Sequence, residues 1–188
     1  MSTPYSILWT TFDIYVYALG EAMTAVDAAV AGNWIKLGTA GKDQYNEEGI
    51  VIGHPQQITK WRGLGNAATM KVNRTEEDVT IRFQLHDMTA VQYAKVLDDI
   101  TVTNTSNYQL LSLLRGTSVA HLAMLLRSSE GPYGDSYACQ YECFDVVQTG
   151  GPDITFAKSA PAGIPLEFTV IYNSTYPTYC VFKARDGA

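Results

Sequence analysis

The stretch Val79-Thr80-Ile81-Arg82-Phe83-Gln84-Leu85-His86 shows the most regular pattern in the chain, because apolar and polar residues alternate at every position. Alternation with a period of two places the apolar side chains on one face of a strand and the polar ones on the other. The stretch from Ile164 to Tyr172 alternates in the same way. Both patterns predict antiparallel strands with one face in a hydrophobic core. The predicted core residues are Val79, Ile81, Phe83, Leu85, Ile164, Leu166, Phe168 and Val170.

Shorter strand patterns surround these two stretches. Residues 69–73 are expected to form the hairpin partner of 79–86, turning through 74–78. Residues 119–127 are apolar on both alternating sets of positions, so this strand is expected to be covered on both faces. Helical spacing predicts one α-helix over 89–99, with Asp87 or Thr89 as the N-cap. The remaining predicted strands are 12–17, 34–38, 50–58, 137–147 and 179–185, and the Ala-rich segment 19–33 is left open.

Composition agrees with a β-rich domain. Of the 188 residues, 44 are β-branched and 21 are aromatic, and both types suit a pleated, half-buried surface. The length predicts a single domain, 1–188. The net charge of −6 argues against a nucleic-acid-binding domain, whose affinity depends on lysine and arginine contacts with phosphate. No apolar run approaches the length of a membrane span, so no membrane partner is expected.

No motif in the chain predicts a catalytic, cofactor or metal site. Residues 63–68 match a dinucleotide-binding glycine pattern, but a strand pattern follows where the mechanism needs a helix, so they predict a glycine loop. The three histidines lack metal-ligand spacing. Cys139 and Cys143 are too far apart on one strand to form a disulfide with each other, whereas one of them could pair with Cys180. Free thiols are the favoured interpretation.

The order of the segments resembles the major tail tube protein of bacteriophages with long, non-contractile tails. The resemblance covers roughly residues 30–175, and it lies in pattern and order. It comprises a Trp-x-x-Leu-Gly strand at 34–38, a polar loop ending in Glu48-Gly49-Ile50, the strand and turn at 79–87, a helix beginning at Thr89, and late strands with an Ile-Pro-Leu-Glu-Phe core at 164–168.

The resemblance implies a β-sandwich or barrel-like fold with one flanking helix. It also implies hexameric rings that stack into a tube, whose channel lets DNA pass without specific binding, and a net acidic subunit suits that passage. The implied partners are further copies of the chain, together with tape measure, tail terminator and tail-tip proteins. The implied location is the tail of the virion, assembled in the host cytoplasm. Residues 1–33 fit the pattern least well and are expected to form an N-terminal arm or extension.

Two surfaces are expected to carry this function. The polar loop 39–49 is expected to contact the neighbouring ring and not to fold onto the core, because Tyr45 is nearly its only apolar residue. The polar faces of the two alternating strands could line the channel or the outer surface; the resemblance implies the channel, and Arg82 is then expected to pair with a carboxylate, with Glu167 as the first candidate. The loop candidates are Lys42, Asp43, Tyr45, Glu47 and Glu48, and the lumen candidates are Thr80, Arg82, Gln84, His86, Glu167 and Thr169.

Two other classes of function remain open at this point. A β-sandwich binding module, for carbohydrate or for a receptor, would use exposed aromatic side chains as its platform and would be monomeric or a small oligomer. An enzyme would need a site assembled in space from residues far apart in the chain. Self-association through strand edges into closed rings is the expectation that separates the tail tube from both alternatives.

Overall fold

The computed structural model describes residues 11–97, 100–113, 116–134, 137–159, 161–176 and 178–185. These residues contain twelve strands, one α-helix and one short 3₁₀ helix. The mainly β, sandwich-like fold with one helix is therefore confirmed. The elements are β1 (Asp13–Ala18), β2 (Ile35–Lys36), the 3₁₀ helix (Gly41–Gln44), β3 (Val51–Gly53), β4 (Gln56–Trp61), β5 (Lys71–Glu77), β6 (Thr80–Leu85), α1 (Ala90–Val96), β7 (Val102–Asn104), β8 (Gln109–Leu111), β9 (Leu122–Ser128), β10 (Cys139–Gln148), β11 (Ile164–Val170) and β12 (Cys180–Ala184).

One antiparallel sheet of eight strands forms the body of the protein. Its order is β2-β1-β9-β10-β11-β6-β3, with β12 paired to β10. The long strand β10 is irregular between Cys143 and Val146; its first half lies between β9 and β12, and its end pairs with β11. An irregularity of this kind typically bends a strand and increases its twist. Apolar side chains from both halves of the sheet, such as Met124 on β9 and Phe168 on β11, belong to one core.

The core contains every apolar residue that the two alternating stretches predicted. Each of the eight side chains is at most 5% exposed, and Phe83 stacks on Phe168 with ring centroids 6.1 Å apart. Strand β9 is buried on both faces apart from Arg127, as its apolar sequence predicted. A one-residue slip of β6 or β11 would move all of these side chains into water, which is why the register follows from the pattern.

Residues 19–33, which the sequence left open, contain no helix or strand and cover the outer face of the sheet. Gln140 Nε2 donates to the carbonyl of Thr24, and Arg127 Nη2 donates to the carbonyl of Val26. Leu125 lies on the same side of β9 as Arg127, away from the core, and is fully buried. Part of the predicted N-terminal arm thus lies on the chain's own sheet, and its first ten residues lie outside the described residues.

The helix begins at Ala90 with Thr89, one of the two predicted N-cap residues, at the N-cap position, and among the described residues no side-chain hydrogen bond caps its first turn. Asp87 Oδ1 accepts a hydrogen bond from the Thr89 amide, while Oδ2 accepts from the amide and hydroxyl of Thr39. Gln92 on α1 accepts a hydrogen bond from the Gly38 amide, which ties the helix to the end of β2. The predicted residues 98 and 99 lie outside the described residues.

The predicted pairing of residues 69–73 with 79–86 is wrong. Strand β5 pairs with β4, and β6 lies between β11 and β3. The amide of Asp78 donates to the carbonyl of Pro55, so the chain turns away from β5 before β6 begins. Strand β5 has no apolar face comparable with that of β6, and it gains nothing from lying beside β6 over the core.

Candidate functional site

The hairpin formed by β4 and β5 projects from the sheet. Every residue of both strands is exposed, on both faces of the hairpin. Its tip is a compact turn, in which the Asn66 amide donates to the Gly63 carbonyl and Asn66 Oδ1 accepts from the Ala68 amide. The glycine pattern at 63–68 therefore forms a hairpin tip followed by a strand, as the sequence predicted.

The projecting hairpin carries large apolar side chains in water. Trp61, Met70 and Val72 are each more than half exposed, Ile58 is 46% exposed, and Leu64 at the tip is fully exposed. An isolated two-stranded hairpin is marginally stable at best, and it needs a third strand or a packing surface. An exposed apolar surface on such an element is typical of a contact with another molecule.

The hairpin also differs in charge from the rest of the chain. The whole hairpin, residues 56–77, contains four basic and two acidic residues and has a charge of +2, whereas the rest of the chain has a charge of −8. Both acidic residues, Glu76 and Glu77, lie at the base of the hairpin. One of the four, Arg74, pairs with Glu77 near the base of the hairpin at 2.7 Å. The tip is therefore a basic, apolar projection on an acidic protein. The basic residues are Lys60, Arg62, Lys71 and Arg74.

The loop 39–49 does fold onto the core, contrary to the expectation from its sequence. Tyr45 is only 9% exposed, and its hydroxyl lies between two strands of the sheet: it accepts from the Ile14 amide at 3.0 Å and donates to the Leu37 carbonyl at 3.1 Å. The amide of Leu37 donates directly to the Ile14 carbonyl, so the hydroxyl replaces one bond of a normal antiparallel pair. Tyr45 is thus a core residue, and the expectation that it contacts a neighbouring ring is wrong.

The other four loop candidates remain on the surface. Lys42, Asp43, Glu47 and Glu48 are exposed. Together with Phe12 they border a groove of about 550 Å³ whose charged side chains are mainly acidic. The groove keeps its shape because the loop is paired to β6: His86 donates its amide to the Gln44 carbonyl, and the Asn46 amide donates to the Gln84 carbonyl. Whether this surface contacts a neighbouring ring stays a prediction.

The lumen candidates share one face of β6 and β11. Thr80 lies opposite Thr169, and Arg82 lies opposite Glu167. Thr169 shares a hydrogen bond with Thr149. The ring of His86 lies 3.0 Å from the carbonyl of Ala162, so a segment of the chain borders this face at its end. The structure therefore brings the six candidates together on a single polar face, and its position in an assembly stays a prediction.

The expected ion pair between Arg82 and Glu167 is not among the ion pairs of the described residues, although the register places the two side chains opposite each other. The guanidinium lies over the other neighbouring strand: a Cβ on Gly53 of β3 would lie 3.4 Å from Arg82 Nη2. Because Gly53 has no side chain, it leaves room for the guanidinium on that side. Arg82 is exposed in the single chain, and whether a carboxylate pairs with it in an assembled ring stays a prediction.

Two buried polar clusters were not apparent in the sequence. At the irregular part of β10, Asp145 is bonded to His121 at 2.7 Å and to Asn173 Nδ2 at 3.0 Å. On the covered outer face, Glu142 pairs with Lys183 at 2.8 Å and accepts from Gln140. The first cluster lies at the irregularity of β10, and the second is connected through Gln140 to Thr24 of the covering segment. Only the fold brings these residues together, so sequence spacing gave no signal for them.

Within the described ranges, no group of three or more histidine, cysteine or acidic side chains could hold a metal ion. No helix in that part of the chain is long and apolar enough to cross a membrane. No protein-family model matches the chain, and a comparison with curated proteins gives no significant match. The projecting hairpin remains the strongest candidate for a functional surface.

Proposed function

We propose that the chain is a structural subunit that associates with copies of itself into rings, and that these rings stack into a phage tail tube through which DNA passes. The ring and the tube follow from the resemblance in the order of the segments. The observation that carries self-association is the projecting hairpin β4–β5, which is exposed on both faces and bears Trp61, Met70 and Val72.

The partner of the hairpin in this proposal is a second copy of the chain. A basic hairpin of charge +2 on a remainder of −8 makes each copy complementary to the next. Electrostatic complementarity of this kind guides association and fixes which surfaces meet. The acidic groove bordered by Asp43, Glu47 and Glu48 is the proposed receiving surface. Phe12 and Ile50 in the same groove would contact the apolar side chains of the hairpin.

Strand edges supply the contacts within a ring. Strand β12 pairs with β10 along one side, and no pairing on its other side is seen within the described residues. Unpaired edges are a liability that monomeric proteins suppress, whereas a ring former uses them. The polar face of Thr80, Arg82, Gln84, His86, Glu167 and Thr169 is the proposed channel wall. It carries mainly uncharged groups, which suits a surface that must not hold DNA.

Sedimentation velocity over a wide concentration range, with electron microscopy of the same samples, tests the proposal. The wild-type chain should form discrete rings and then tubes. The variant carrying Lys60→Glu and Lys71→Glu should stop at rings, because its hairpin repels the acidic groove. Adding Glu47→Lys and Glu48→Lys to that variant should restore tubes, since the exchanged charges are complementary again.

A matched control separates position from total charge. Lys158 is exposed and lies outside the hairpin, so Lys158→Glu changes the net charge by the same amount as Lys71→Glu. Lys158→Glu should assemble like the wild type, whereas Lys71→Glu should need a several-fold higher protein concentration to form tubes. Wild-type protein that stays monomeric at every concentration would contradict self-association and favour a binding module. Normal tubes in the double hairpin variant would show that the hairpin is not the contact.

A further inference from the structure

Two cysteines face each other across β10 and β12. Cys143 and Cys180 are direct partners in the register, and their sulfur atoms are 3.2 Å apart. Both are free thiols. Cys143 is buried and Cys180 is only partly buried, so the pair has one member inside the core and one reachable from outside.

The hydrogen-bond pattern of this strand pair shows that the backbone geometry suits a disulfide. The Phe144 amide donates to the Tyr179 carbonyl, and the Arg185 amide donates to the Ala138 carbonyl. Hydrogen-bonded and non-hydrogen-bonded pairs alternate in an antiparallel ladder, so Cys143 and Cys180 form a non-hydrogen-bonded pair. The Cα atoms of such a pair are about 4.5 Å apart, within the range that a disulfide spans.

The environment makes the two thiols unequal. The hydrogen bond between them lowers the pKa of Cys180, which then carries the charge more readily. The same bond, together with burial, raises the pKa of Cys143. Cys180 is therefore the more reactive thiolate, and Cys143 is a protonated neighbour in position to react with it.

We propose that Cys143 and Cys180 are a reversible disulfide site that fastens the strand β12 to β10. With a peroxide as oxidant, the Cys180 thiolate attacks one peroxide oxygen, the O–O bond breaks, and hydroxide leaves with a sulfenic acid formed on Cys180. The Cys143 sulfur then attacks the Cys180 sulfur, the S–O bond breaks, and the hydroxyl leaves as water with the Cys143 proton. Overall, two thiols lose two electrons and two protons, and one hydrogen peroxide becomes two molecules of water.

The disulfide would change how firmly the last described strand is held. Strand β12 pairs with β10, and within the described residues its other contacts with that strand include the Lys183–Glu142 ion pair and a tilted contact between the rings of Phe182 and Tyr141. A covalent bond at Cys180, the first residue of β12, closes a long loop and restricts the unfolded chain. The inference does not depend on the proposed function, because it concerns a single chain.

The test treats the purified full-length chain with hydrogen peroxide or with dithiothreitol. The oxidised chain, unfolded and titrated, should show one free thiol instead of the three of the reduced chain. Its mass should be lower by about 2 Da, the two hydrogens lost, and proteolytic mapping should link Cys143 to Cys180. The midpoint of thermal unfolding should rise by about 10 °C on oxidation and return on reduction.

Three cysteine variants make the result specific. Cys139→Ala removes a buried thiol from the same strand and should leave the oxidation, the linked peptides and the thermal shift unchanged. Cys143→Ala should stop the reaction at a sulfenic acid on Cys180, which a dimedone reagent captures. Cys180→Ala should leave Cys143 unmodified, because that thiol is buried and protonated. Three free thiols after peroxide treatment, a bond that involves Cys139, or an unchanged thermal midpoint would overturn the proposal.

Discussion

The paired strands β6–β11 and β4–β5 have nearly the same local geometry, yet they differ in what stabilises them. Both are antiparallel pairs of six or seven residues per strand. Strands β6 and β11 bury one whole face in the core, whereas β4 and β5 are exposed on both faces. Both strand pairs therefore have backbone hydrogen bonds, but only β6–β11 also buries side chains in the core. The difference separates the strands that are stabilised by the core of the chain from the hairpin that we propose contacts a second copy.

The largest effect is expected in the core. Phe168 is 1% exposed and stacks on Phe83, so Phe168→Ala should lower the free energy of unfolding by about 3–5 kcal/mol. Phe156 is 77% exposed, and Phe156→Ala should change the free energy of unfolding by less than about 0.5 kcal/mol. Urea unfolding at a concentration low enough to keep the chain monomeric measures both. Equal losses in the two variants would contradict the assignment of the core.

A smaller effect is expected where the loop 39–49 meets the sheet. Tyr45→Phe keeps the ring but removes the hydroxyl between the Ile14 amide and the Leu37 carbonyl. Two buried backbone groups then lose a partner, so the free energy of unfolding should fall by about 1–3 kcal/mol. Burial raises the pKa of Tyr45 well above its ordinary value, so the hydroxyl stays protonated at neutral pH.

The matched control for this change is Tyr172→Phe, since Tyr172 is 75% exposed. It should leave the urea midpoint unchanged. If Tyr45→Phe also left the urea midpoint unchanged, the hydrogen bonds of the hydroxyl to Ile14 and Leu37 would not stabilise the fold. The loop would then be a surface element, as its sequence predicted.

A pH-dependent effect is expected at Asp87, which joins α1 to the loop. Burial raises the pKa of this carboxyl, but the hydrogen bonds from Thr39 and Thr89 outweigh burial and hold the pKa below the ordinary value of 3.8. A lowered pKa in the folded chain means that the ionised form adds stability above the unfolded pKa and loses it as the pH falls through the folded pKa.

Asp87→Asn tests this linkage. The variant should be less stable than the wild type at pH 7, and the difference should shrink as the pH falls below 3.8. Urea unfolding of both proteins across this pH range gives the comparison. A difference that stays constant with pH would show that the carboxylate charge contributes nothing to the hydrogen bonds with Thr39 and Thr89.

The sequence predicted the strands that bury at least one face, including β9, and failed for the exposed strand β5. Strands β6 and β11 were found because alternation identifies the side that meets the core. Strand β5 was assigned to the wrong partner because its residues are exposed on both faces, so no apolar face indicated where it lies. Tyr45 was misplaced because a count of apolar residues cannot show that one phenol bridges two strands. The Asp145 cluster joins residues 121, 145 and 173, which only the irregularity in β10 brings together.

The smallest effect on folding is expected in the hairpin, and one substitution made in both regions measures the contrast directly. Val72 on β5 is 55% exposed and Val170 on β11 is 5% exposed. Valine to threonine exchanges a methyl for a hydroxyl of similar shape. Val170→Thr should cost about 1–3 kcal/mol, because a hydroxyl enters the core without an assured partner. Val72→Thr should change the free energy of unfolding by less than about 0.5 kcal/mol, because the side chain is in water in the single chain.

The same pair of variants gives the opposite order when assembly is measured. If the hairpin inserts into a second copy, Val72→Thr should raise the concentration needed for tubes, since it removes an apolar group from the contact. Val170→Thr, as long as the chain stays folded, should assemble at the wild-type concentration, because its side chain points into the core of its own subunit. A Val72→Thr chain that folds and assembles like the wild type would mean that this face of the hairpin stays in water in the assembly, and the contact would then have to lie on the side that carries Trp61.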